Sequence, residues 1–518
     1  MNIQPVIRPG RPDDDNRHYL PEYLYRSDIT VNENGNNSIP CPERLQEFHG
    51  DIVGDGKEDT WYEYVPESYD GSKKVPLVIS LHGGLMTGWG QCCYNSWPLV
   101  ADREGLIAVF PTASELRFWQ VEGMYESGGP TEIDGIRVKH APADFRENHD
   151  LNLLLALIRA MQEKYNIDPE RIFMQGMSMG NLMTHQFSRY YGNLLAGAAG
   201  AGAQTWPCAL FEKDGTIRNA AGPVAVWQAR PEHNQFEGDY EGEALNFKMG
   251  RWYWLKINEA CPVPEISIVG EDNFAFYHGK KANLVFHDIK NRDHGQKLDE
   301  AFLYWDYFFS GLRRKADGTI EQGPTRLPLK RDDFQAAFAE GAPSMLYNGE
   351  ILPLSHAPLF WQKLKYHGLN GGAKVRGEYL MVPAEALAKI AGGSYETSEE
   401  GLSGVIRLPD GRRLQFARGV IGCMIGDTMR QMYVECIERD GVLMLSLEWF
   451  SRCFFNWDVS VHNGAAYVTD HWAELSYFTA DLLKDLLNGR YELEFTEQEI
   501  MERQRYFTSD DLPSIAAK

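Results

Sequence analysis

The stretch that decides the fold is Arg171-Ile-Phe-Met-Gln-Gly-Met-Ser-Met-Gly180. Its apolar start predicts a buried strand, and residues 181–191 predict a helix. Between them lies a G-x-S-x-G sequence, which in a strand–turn–helix context forms a nucleophile elbow with an exposed serine hydroxyl. The residues two before and two after the serine must be small because strand and helix nearly touch there, and Gly176 and Gly180 meet this requirement. We therefore predict that Ser178 is a nucleophile.

A second signal lies upstream of the elbow. Residues 75–81 form a continuous apolar run that predicts a strand buried on both faces, and His82-Gly83-Gly84 follows it. An H-G-G sequence at the end of a strand is typical of the loop that supplies an oxyanion-hole N–H group. The N–H groups of Gly84 and Met179 are the predicted donors, and His82 is interpreted as a structural residue that fixes the loop.

Further strands alternate with helices along the first 315 residues. Apolar runs at 106–111, 195–201, 223–227 and 284–286 predict strands, and residues 150–165 and 298–309 predict amphipathic helices. This alternation predicts an α/β fold with a doubly wound, mostly parallel sheet. The elbow would then lie at the carboxyl edge of the sheet.

Length and charge restrict the domain count and the partners. A chain of 518 residues is too long for one ordinary core, and its hydrophobic content of 43% indicates a folded protein. A formal charge of −22 disfavours nucleic acid, anionic membranes and polyanions, and is compatible with neutral substrates. The sequence shows no signal peptide, transmembrane run or metal motif, so we expect a cytoplasmic protein without metal or organic cofactor.

At the level of family, the chain resembles the polyhydroxybutyrate depolymerase-like esterases of the α/β-hydrolase superfamily, a group that includes feruloyl and acetylxylan esterases. The resemblance covers roughly residues 55–312. Its matching stretches are Tyr64-Val-Pro-Glu-Ser-Tyr-Asp-Gly71, Pro76-Leu-Val-Ile-Ser-Leu-His-Gly-Gly84, Ala101-Asp-Arg-Glu-Gly-Leu-Ile-Ala-Val-Phe-Pro111, Tyr165-Asn-Ile-Asp-Pro-Glu-Arg-Ile172 and the elbow. The resemblance implies an α/β-hydrolase fold and ester hydrolysis.

A nucleophilic serine requires a base and an acid that orients the base, in the chain order Ser, acid, His. His294 is the predicted base, because it follows the last strand in a Gly-containing loop; His278 and His287 are rivals. The family usually has an Asp in an H-G-x-x-D loop after the penultimate strand. The matching residue here is Glu232, and Glu237 and Asp239 remain candidates.

The substrate pocket is harder to place from the sequence. The polar stretch 112–148 follows a predicted strand and is long for a compact α/β domain, which favours a pocket wall. It carries Trp119, and Trp227 ends the strand before the acid loop. We predict both tryptophans as pocket residues.

Beyond residue 315 the pattern changes. We predict an N-terminal arm (1–50), the catalytic domain (51–315), a linker (316–335), a smaller α+β domain (336–472) and a helical tail (473–518). The α+β domain contains an internal repeat, because Leu380-Met-Val-Pro-Ala-Glu-Ala-Leu-Ala-Lys389 matches Leu443-Met-Leu-Ser-Leu-Glu-Trp-Phe-Ser-Arg452. It resembles the copper amine oxidase N-terminal-like, or stalk, domain, which itself carries no copper.

The sequence therefore favours a serine carboxylester hydrolase for aryl or short-acyl esters, such as feruloyl or acetyl esters of plant polysaccharide fragments or polyester-like oligomers. A serine peptidase of the same fold and a degenerate hydrolase used as a binding module are the alternatives. The expected partner is a small-molecule or oligosaccharide ester, and the C-terminal domain is a candidate for homo-oligomer formation.

Overall fold

The computed structural model describes residues 39, 41–114, 117–122, 131–133, 136–138, 141–203, 205–212, 215–233, 240–367, 372–398, 400–490, 496 and 498–499. Within them, no helix is both long and apolar enough to cross a bilayer. The structure contains two regions, each with its own sheets. The first is built around one large sheet that carries the elbow, and the second is built from small antiparallel sheets.

The described residues of the first region form twelve strands, ten of which make up the large sheet in the order β1-β2-β4-β3-β7-β8-β9-β12-β11-β10. The strands are β1 (Gln46–Gly50), β2 (Asp59–Tyr64), β3 (Val75–Leu81), β4 (Ile107–Pro111), β5 (Thr131–Ile133), β6 (Ile136–Val138), β7 (Ile167–Met177), β8 (Gly197–Ala201), β9 (Ala225–Pro231), β10 (Glu265–Val269), β11 (Asp272–Tyr277) and β12 (Leu284–Ile289). β5 and β6 pair only with each other. The six central strands, from β4 to β12 in sheet order, pair in parallel, whereas the strands at both edges pair antiparallel.

Helices cover both faces of this sheet. They are α1 (Gly88–Tyr94), α2 (Trp97–Glu104), α3 (His149–Lys164), α4 (Met179–Tyr191), α5 (Pro207–Leu210), α6 (Tyr240–Asn258) and α7 (Glu300–Tyr307). One apolar core joins one face of the sheet to α3, α4 and α6, and another joins the opposite face to α2 and α7. The predicted α/β-hydrolase fold, with a doubly wound and mostly parallel sheet, is confirmed.

Two parts of the first region differ from the sequence expectation. The last five residues of the predicted N-terminal arm form the edge strand β1, which pairs with β2 from Gln46 to Gly50. Between β9 and β12 the chain forms α6 and the hairpin β10–β11, which the sequence patterns did not predict. This hairpin extends the sheet beyond β12 and provides the surface on which the second region packs.

The second region follows a short hairpin of β13 (Leu312–Arg314) and β14 (Ile320–Gln322). Its strands are β15 (Ala336–Ala339), β16 (Ser344–Tyr347), β17 (Glu350–Pro353), β18 (Leu359–His367), β19 (Gly372–Pro383), β20 (Ser394–Thr397), β21 (Ser403–Arg407), β22 (Arg413–Ala417), β23 (Gly422–Ile425), β24 (Thr428–Gln431), β25 (Ile437–Arg439), β26 (Val442–Ser446), β27 (Asp458–His462) and β28 (Ala465–Thr469). Its helices are α8 (Ala384–Ile390), α9 (Leu447–Phe454) and α10 (Tyr477–Leu487).

The internal repeat corresponds to two strand–helix units that pack on each other. β19 runs into α8 and β26 runs into α9, as the two repeat sequences predict. The two strands pair antiparallel, with Val382 opposite Leu445. The similarity of this region to a stalk domain stays a prediction from the sequence.

The two regions share an apolar core. The core that covers α3, α4 and α6 continues into buried residues of β15, β28 and α10, including Ala337, Tyr467 and Leu483. Asp332, inside the predicted linker, is buried and accepts hydrogen bonds from Ser267 Oγ at 2.6 Å and from the Ile268 N–H at 3.0 Å. The second region is therefore packed firmly against the β10–β12 side of the first.

Candidate active site

The elbow has the geometry that its sequence predicts. Ser178 adopts φ 52° and ψ −117°, a left-handed conformation that costs a non-glycine residue energy and persists where the surroundings impose it. A Cβ on Gly176 would lie 2.1 Å from the Gly180 carbonyl oxygen, and one on Gly180 would lie 2.3 Å from the Leu81 carbonyl oxygen. The predicted need for glycine at both positions is thus confirmed. The partly exposed serine is held at the carboxyl end of β7.

The structure brings His294 to Ser178. The distance between His294 Nε2 and Ser178 Oγ is 2.9 Å, across 116 residues of sequence. Burial lowers the pKa of the His294 imidazole to about 4, so the ring is neutral near pH 7 and able to accept a proton. The arrangement provides a nucleophile and a base within hydrogen-bond distance.

The rival histidines lie elsewhere. His278 is largely exposed and pairs with Glu265 at 2.9 Å. His287 is fully buried in β12, where its Nε2 lies 2.8 Å from Asp272 Oδ1 and its ring stacks on Phe274. Neither histidine makes a described contact with Ser178.

One further glycine of the site was not predicted from the sequence. Gly202 follows β8 with φ +81°, and a Cβ at this position would lie 3.5 Å from both His294 Cε1 and the Ser178 nitrogen. The Ser178 N–H donates to the Ala201 carbonyl at 2.7 Å. Gly202 therefore lets the chain turn directly beside the reacting pair. The only sequence signal was a glycine at the end of a predicted strand.

The H-G-G loop lies against the elbow. A Cβ on Gly83 would approach Met177 Sδ to 2.7 Å and Ser178 Cβ to 3.5 Å, and one on Gly84 would approach Met179 Sδ to 3.1 Å. Within the described part of the chain, neither the Gly84 N–H nor the Met179 N–H is hydrogen-bonded to an acceptor. No described acceptor therefore competes with a ligand for these two N–H groups.

His82 has the structural role expected of it. The Ala113 N–H donates to its Nε2 at 2.9 Å, so Nδ1 carries the proton and donates to the Gly83 carbonyl at 2.6 Å. Burial lowers its pKa to about 4, which keeps the ring neutral. The neutral imidazole of His82 thus holds the H-G-G loop in its observed conformation.

The two predicted pocket tryptophans are both buried. Trp119 is 1% exposed, and its Nε1 donates to the His82 carbonyl at 2.8 Å, so it supports the H-G-G loop. Trp227 is fully buried on the other face of the sheet, with its ring packed against Tyr304 and Phe308 of the α7 region. The prediction for Trp227 is corrected accordingly: alternation along β9 directs this side chain into the core, away from a pocket.

Glu232 follows β9, as predicted, and is almost fully buried. Its Oε1 accepts hydrogen bonds from His462 Nε2 at 2.9 Å, the Tyr477 N–H at 3.0 Å and Lys290 Nζ at 3.1 Å. Burial opposes its ionisation, but the His462 hydrogen bond and the charge of Lys290 lower the pKa to about 2. The described contacts of Glu232 do not include His294.

The other two acid candidates, Glu237 and Asp239, lie outside the described residues. Glu232 Oε2 is buried and has no hydrogen-bond partner within the described part of the chain, so one oxygen of this carboxylate can still accept a hydrogen bond.

A buried polar network beneath the elbow was also missed by the sequence analysis. Gln175, three residues before Ser178, accepts from Ser80 Oγ at 2.7 Å and Trp97 Nε1 at 3.1 Å. Its own Nε2 donates to Gln296 Oε1 at 3.1 Å, two residues after His294. This network joins the strand that leads to Ser178 to the loop that carries His294. A glutamine within an apolar strand was its only sequence signal.

The described residues contain no group of three or more His, Cys, Asp or Glu side chains that is placed to hold a metal ion. The side chains and backbone N–H groups of the site can provide proton transfer, nucleophilic attack and stabilisation of an oxyanion.

The sequence of this chain is only weakly similar to those of known proteins. No family model matches the chain. Over 150 residues it is 25% identical to a bifunctional acetylxylan esterase/xylanase of Neocallimastix patriciarum, a match that covers 27% of this chain and 19% of that protein. The chain thus spans about a fifth of the length of this relative.

Solved structures with partial similarity include several hydrolases. An acetyl xylan esterase from Aspergillus awamori matches with a TM-score of 0.36 and 16% identity, covering 50% of this chain and 97% of that one. A thermostable esterase matches with a TM-score of 0.33 and 17% identity, covering 48% of this chain and 56% of that one. An S-formylglutathione hydrolase from Staphylococcus aureus matches with a TM-score of 0.30 and 15% identity, covering 50% and 92%.

Proposed function

We propose that this protein is a carboxylic ester hydrolase that acts through an acyl-enzyme on Ser178. The observation that carries the proposal is the 2.9 Å contact between His294 Nε2 and Ser178 Oγ on a strained elbow flanked by Gly176 and Gly180. A strained, partly exposed serine with a neutral imidazole beside it is the arrangement that acyl transfer requires.

In the proposed acylation, His294 Nε2 takes the proton from Ser178 Oγ while the oxygen attacks the ester carbonyl. The carbonyl oxygen becomes negative, and the N–H groups of Gly84 and Met179 donate to it. Each such donor lowers the barrier by about 2.7–4 kcal/mol. His294 then gives its proton to the leaving alcohol as the carbon–oxygen bond breaks.

Deacylation reverses these roles. His294 takes a proton from water, and the hydroxide attacks the acyl carbonyl. The oxyanion that forms in this step accepts hydrogen bonds from the same two N–H groups, those of Gly84 and Met179. Collapse breaks the bond to Ser178 Oγ, which regains its proton from His294, and the carboxylic acid leaves. Atoms and charges balance with ester and water alone.

The base also needs a group that orients it, and we propose Glu232 for this role. In support, Glu232 follows β9 at the position expected of the acid, is held ionised with a pKa of about 2, and keeps one buried oxygen without a described partner. Such a carboxylate would accept the second ring N–H of His294 and stabilise the imidazolium. Glu237 and Asp239 are the alternatives.

For the substrate we propose neutral aryl or short-acyl esters, such as acetyl or feruloyl esters of plant polysaccharide fragments, or polyester-like oligomers. The net charge of −22 disfavours polyanionic substrates. The similarity of 150 residues to an acetylxylan esterase/xylanase supports an ester of this class, although it covers a small part of both chains.

A hydrolysis panel tests the proposal. Acetyl, butyryl and feruloyl esters and a peptide p-nitroanilide would be assayed with wild type and Ser178→Ala. We expect ester turnover by wild type and a loss of roughly a millionfold in kcat for the variant, as for other enzymes that lose a nucleophilic serine.

Two results would overturn the proposal. Wild type without ester turnover would indicate a degenerate hydrolase that serves as a binding module. Peptide turnover above ester turnover would indicate a serine peptidase. Circular dichroism and thermal unfolding of Ser178→Ala would show that the variant retains the fold.

A further inference from the structure

The loop that carries His294, residues 290–297 (the base loop), is held at both ends. At its carboxyl end, Gln296 accepts from Gln175 Nε2 at 3.1 Å and donates to the Tyr94 carbonyl at 3.0 Å. Both partners belong to the first region of the molecule. This end of the base loop is therefore anchored to the same core that holds the elbow.

The amino end of the base loop is held by both regions. In the first region, Glu271 accepts from the Lys290 N–H at 2.8 Å and from Asn291 Nδ2 at 3.3 Å, and the second region adds further contacts. Asn291 Nδ2 donates to Glu474 Oε2 at 2.9 Å. Lys290 Nζ donates to Glu232 Oε1, the same oxygen that accepts from His462 Nε2 and from the Tyr477 N–H. Three donors from two regions of the molecule thus converge on one carboxylate oxygen.

Glu232 is also tied to the base loop through the backbone. The Glu232 N–H donates to the Ile289 carbonyl at 3.0 Å, and the His233 N–H donates to the Arg292 carbonyl at 2.8 Å. A displacement of Glu232 is therefore transmitted to the residues on both sides of Lys290. The Glu232 carboxylate therefore links the base loop to the second region through hydrogen bonds.

Cation–π contacts and a hydrogen bond hold α10 against the strands next to Glu232. The Arg230 guanidinium lies over the Phe478 ring of α10 and 4.2 Å from the centre of the Phe247 ring of α6. Thr479 Oγ1 donates to the buried Asp288 at 2.9 Å. These contacts fix α10 on β9 and β12, the two strands that lead into Glu232 and the base loop.

We propose that the second region positions the catalytic base: His462 at the end of β27 and Glu474 before α10 are positioning residues that hold the base loop so that His294 faces Ser178. The inference rests on the proposed function of Ser178 and His294. The second region would then take part in forming the active site, without binding a ligand of its own.

The experiment uses the full chain and matched variants. His462→Ala removes one donor to Glu232, and His462→Gln restores an N–H donor near the position of Nε2. Glu474→Ala removes the 2.9 Å acceptor of the Asn291 amide and leaves its longer 3.3 Å contact with Glu271 Oε1. His278→Ala is the control, because the His278–Glu265 pair has the same 2.9 Å distance and makes no described contact with the base loop. Each variant is assayed for kcat and KM and for backbone amide exchange.

We expect His462→Ala and Glu474→Ala each to lower kcat by about tenfold or more with KM nearly unchanged, because a misplaced base slows chemistry without weakening substrate binding. His462→Gln should recover most of the loss, and His278→Ala should match wild type. Amide exchange of residues 289–297 should be faster in the two alanine variants only.

The exchange measurement separates this inference from the proposed function, because it needs no substrate. Unchanged exchange and unchanged kcat in His462→Ala would overturn the positioning role while ester turnover by wild type still stands. If residues 289–297 exchange faster in the alanine variants but wild type shows no ester turnover, the hold of the second region on the base loop is supported and the proposed function is overturned. Equal losses of kcat in His278→Ala and His462→Ala would show a general effect on stability, which overturns the positioning role.

Discussion

Ser178 and His294 lie 2.9 Å apart, yet different parts of the chain hold them. The serine side of the site, residues 175–180 with the H-G-G loop, is held by contacts with the neighbouring strands and helices of the first region, such as the close approach of Gly180 to the Leu81 carbonyl. The base side, the base loop with Glu232, is held by residues as distant in sequence as Glu474 and Tyr477. The described contacts of the serine side thus lie within the first region, whereas those of the base side also come from the second region.

The largest effect on the base side should come from its acid. We expect Glu232→Gln to lower kcat by roughly 10⁴-fold, the magnitude seen when the acid of a Ser-His-Asp triad loses its charge. Glu237→Gln and Asp239→Asn are the matched controls and should have small effects. Ester kinetics with thermal unfolding would check this.

The result that would reassign the acid is equally specific. A mild effect of Glu232→Gln together with a large effect of Glu237→Gln or Asp239→Asn would move the orienting role to the affected residue. Glu232 would then serve only to link the base loop to the second region through hydrogen bonds.

On the serine side, Gly180→Ala should be damaging although it adds one methyl group. Its Cβ would lie 2.3 Å from the Leu81 carbonyl oxygen, so the elbow and β3 must separate. We expect a loss of about 10²-fold in kcat, as for misplaced reacting groups, and a destabilisation of about 1–3 kcal/mol from overpacking.

The control for this variant is Gly250→Ala in α6, where an added Cβ meets nothing within 4 Å and φ is not positive. Kinetics and denaturant unfolding of both variants would compare them. A Gly180→Ala protein as active as Gly250→Ala would contradict the close packing of the elbow.

A smaller effect is expected where the two sides meet. Gln296→Ala removes the bond from Gln175 that anchors the carboxyl end of the base loop, and we expect kcat to fall about tenfold. Gln91→Ala disturbs the same buried network at Ser80 without touching the base loop. It should lower stability but leave kcat close to wild type. Equal kinetic losses in both variants would show that the network acts only through overall stability.

The smallest expected effect is a shift in pH dependence. Burial lowers the pKa of His294 to about 4 from its ordinary 6.5, so the base stays neutral as pH falls through 6 and 5. The kcat/KM profile should therefore lose activity well below pH 6.5. Because the unfolded chain binds the proton first, stability also falls with pH in this window, and unfolding midpoints must be measured alongside. An acid limb at or above pH 6.5 would contradict this shift, and is the result expected if the proposed contact of His294 with the Glu232 carboxylate outweighs burial.

The same contrast explains which features the sequence could predict. Strand, G-x-S-x-G and helix are contiguous, so the geometry of Ser178 followed from short-range sterics, and the alternation of strands and helices predicted the sheet. His294 was identifiable because its place after the last strand is set by the fold.

Features that depend on long-range packing could not be predicted. Nothing near Glu232 in the sequence indicates that His462 and Tyr477 contact it, because those contacts exist only after α10 packs against β9 and β12. Trp227 was placed in a pocket for a related reason: its position at a strand end was visible, but the face of the sheet that it occupies depends on strand register. The Gln175–Gln296 contact likewise joins residues 121 positions apart.

The most direct test of the account is to trap the acyl-enzyme. Wild type and Ser178→Ala would be mixed with a short p-nitrophenyl ester, quenched in acid within the first turnovers, and analysed by intact mass and peptide mapping. We predict one added acyl group on the peptide that contains Ser178, and none on the variant. Ester turnover without an acyl group on Ser178, or equal turnover by Ser178→Ala, would contradict the assignment of Ser178 as the nucleophile.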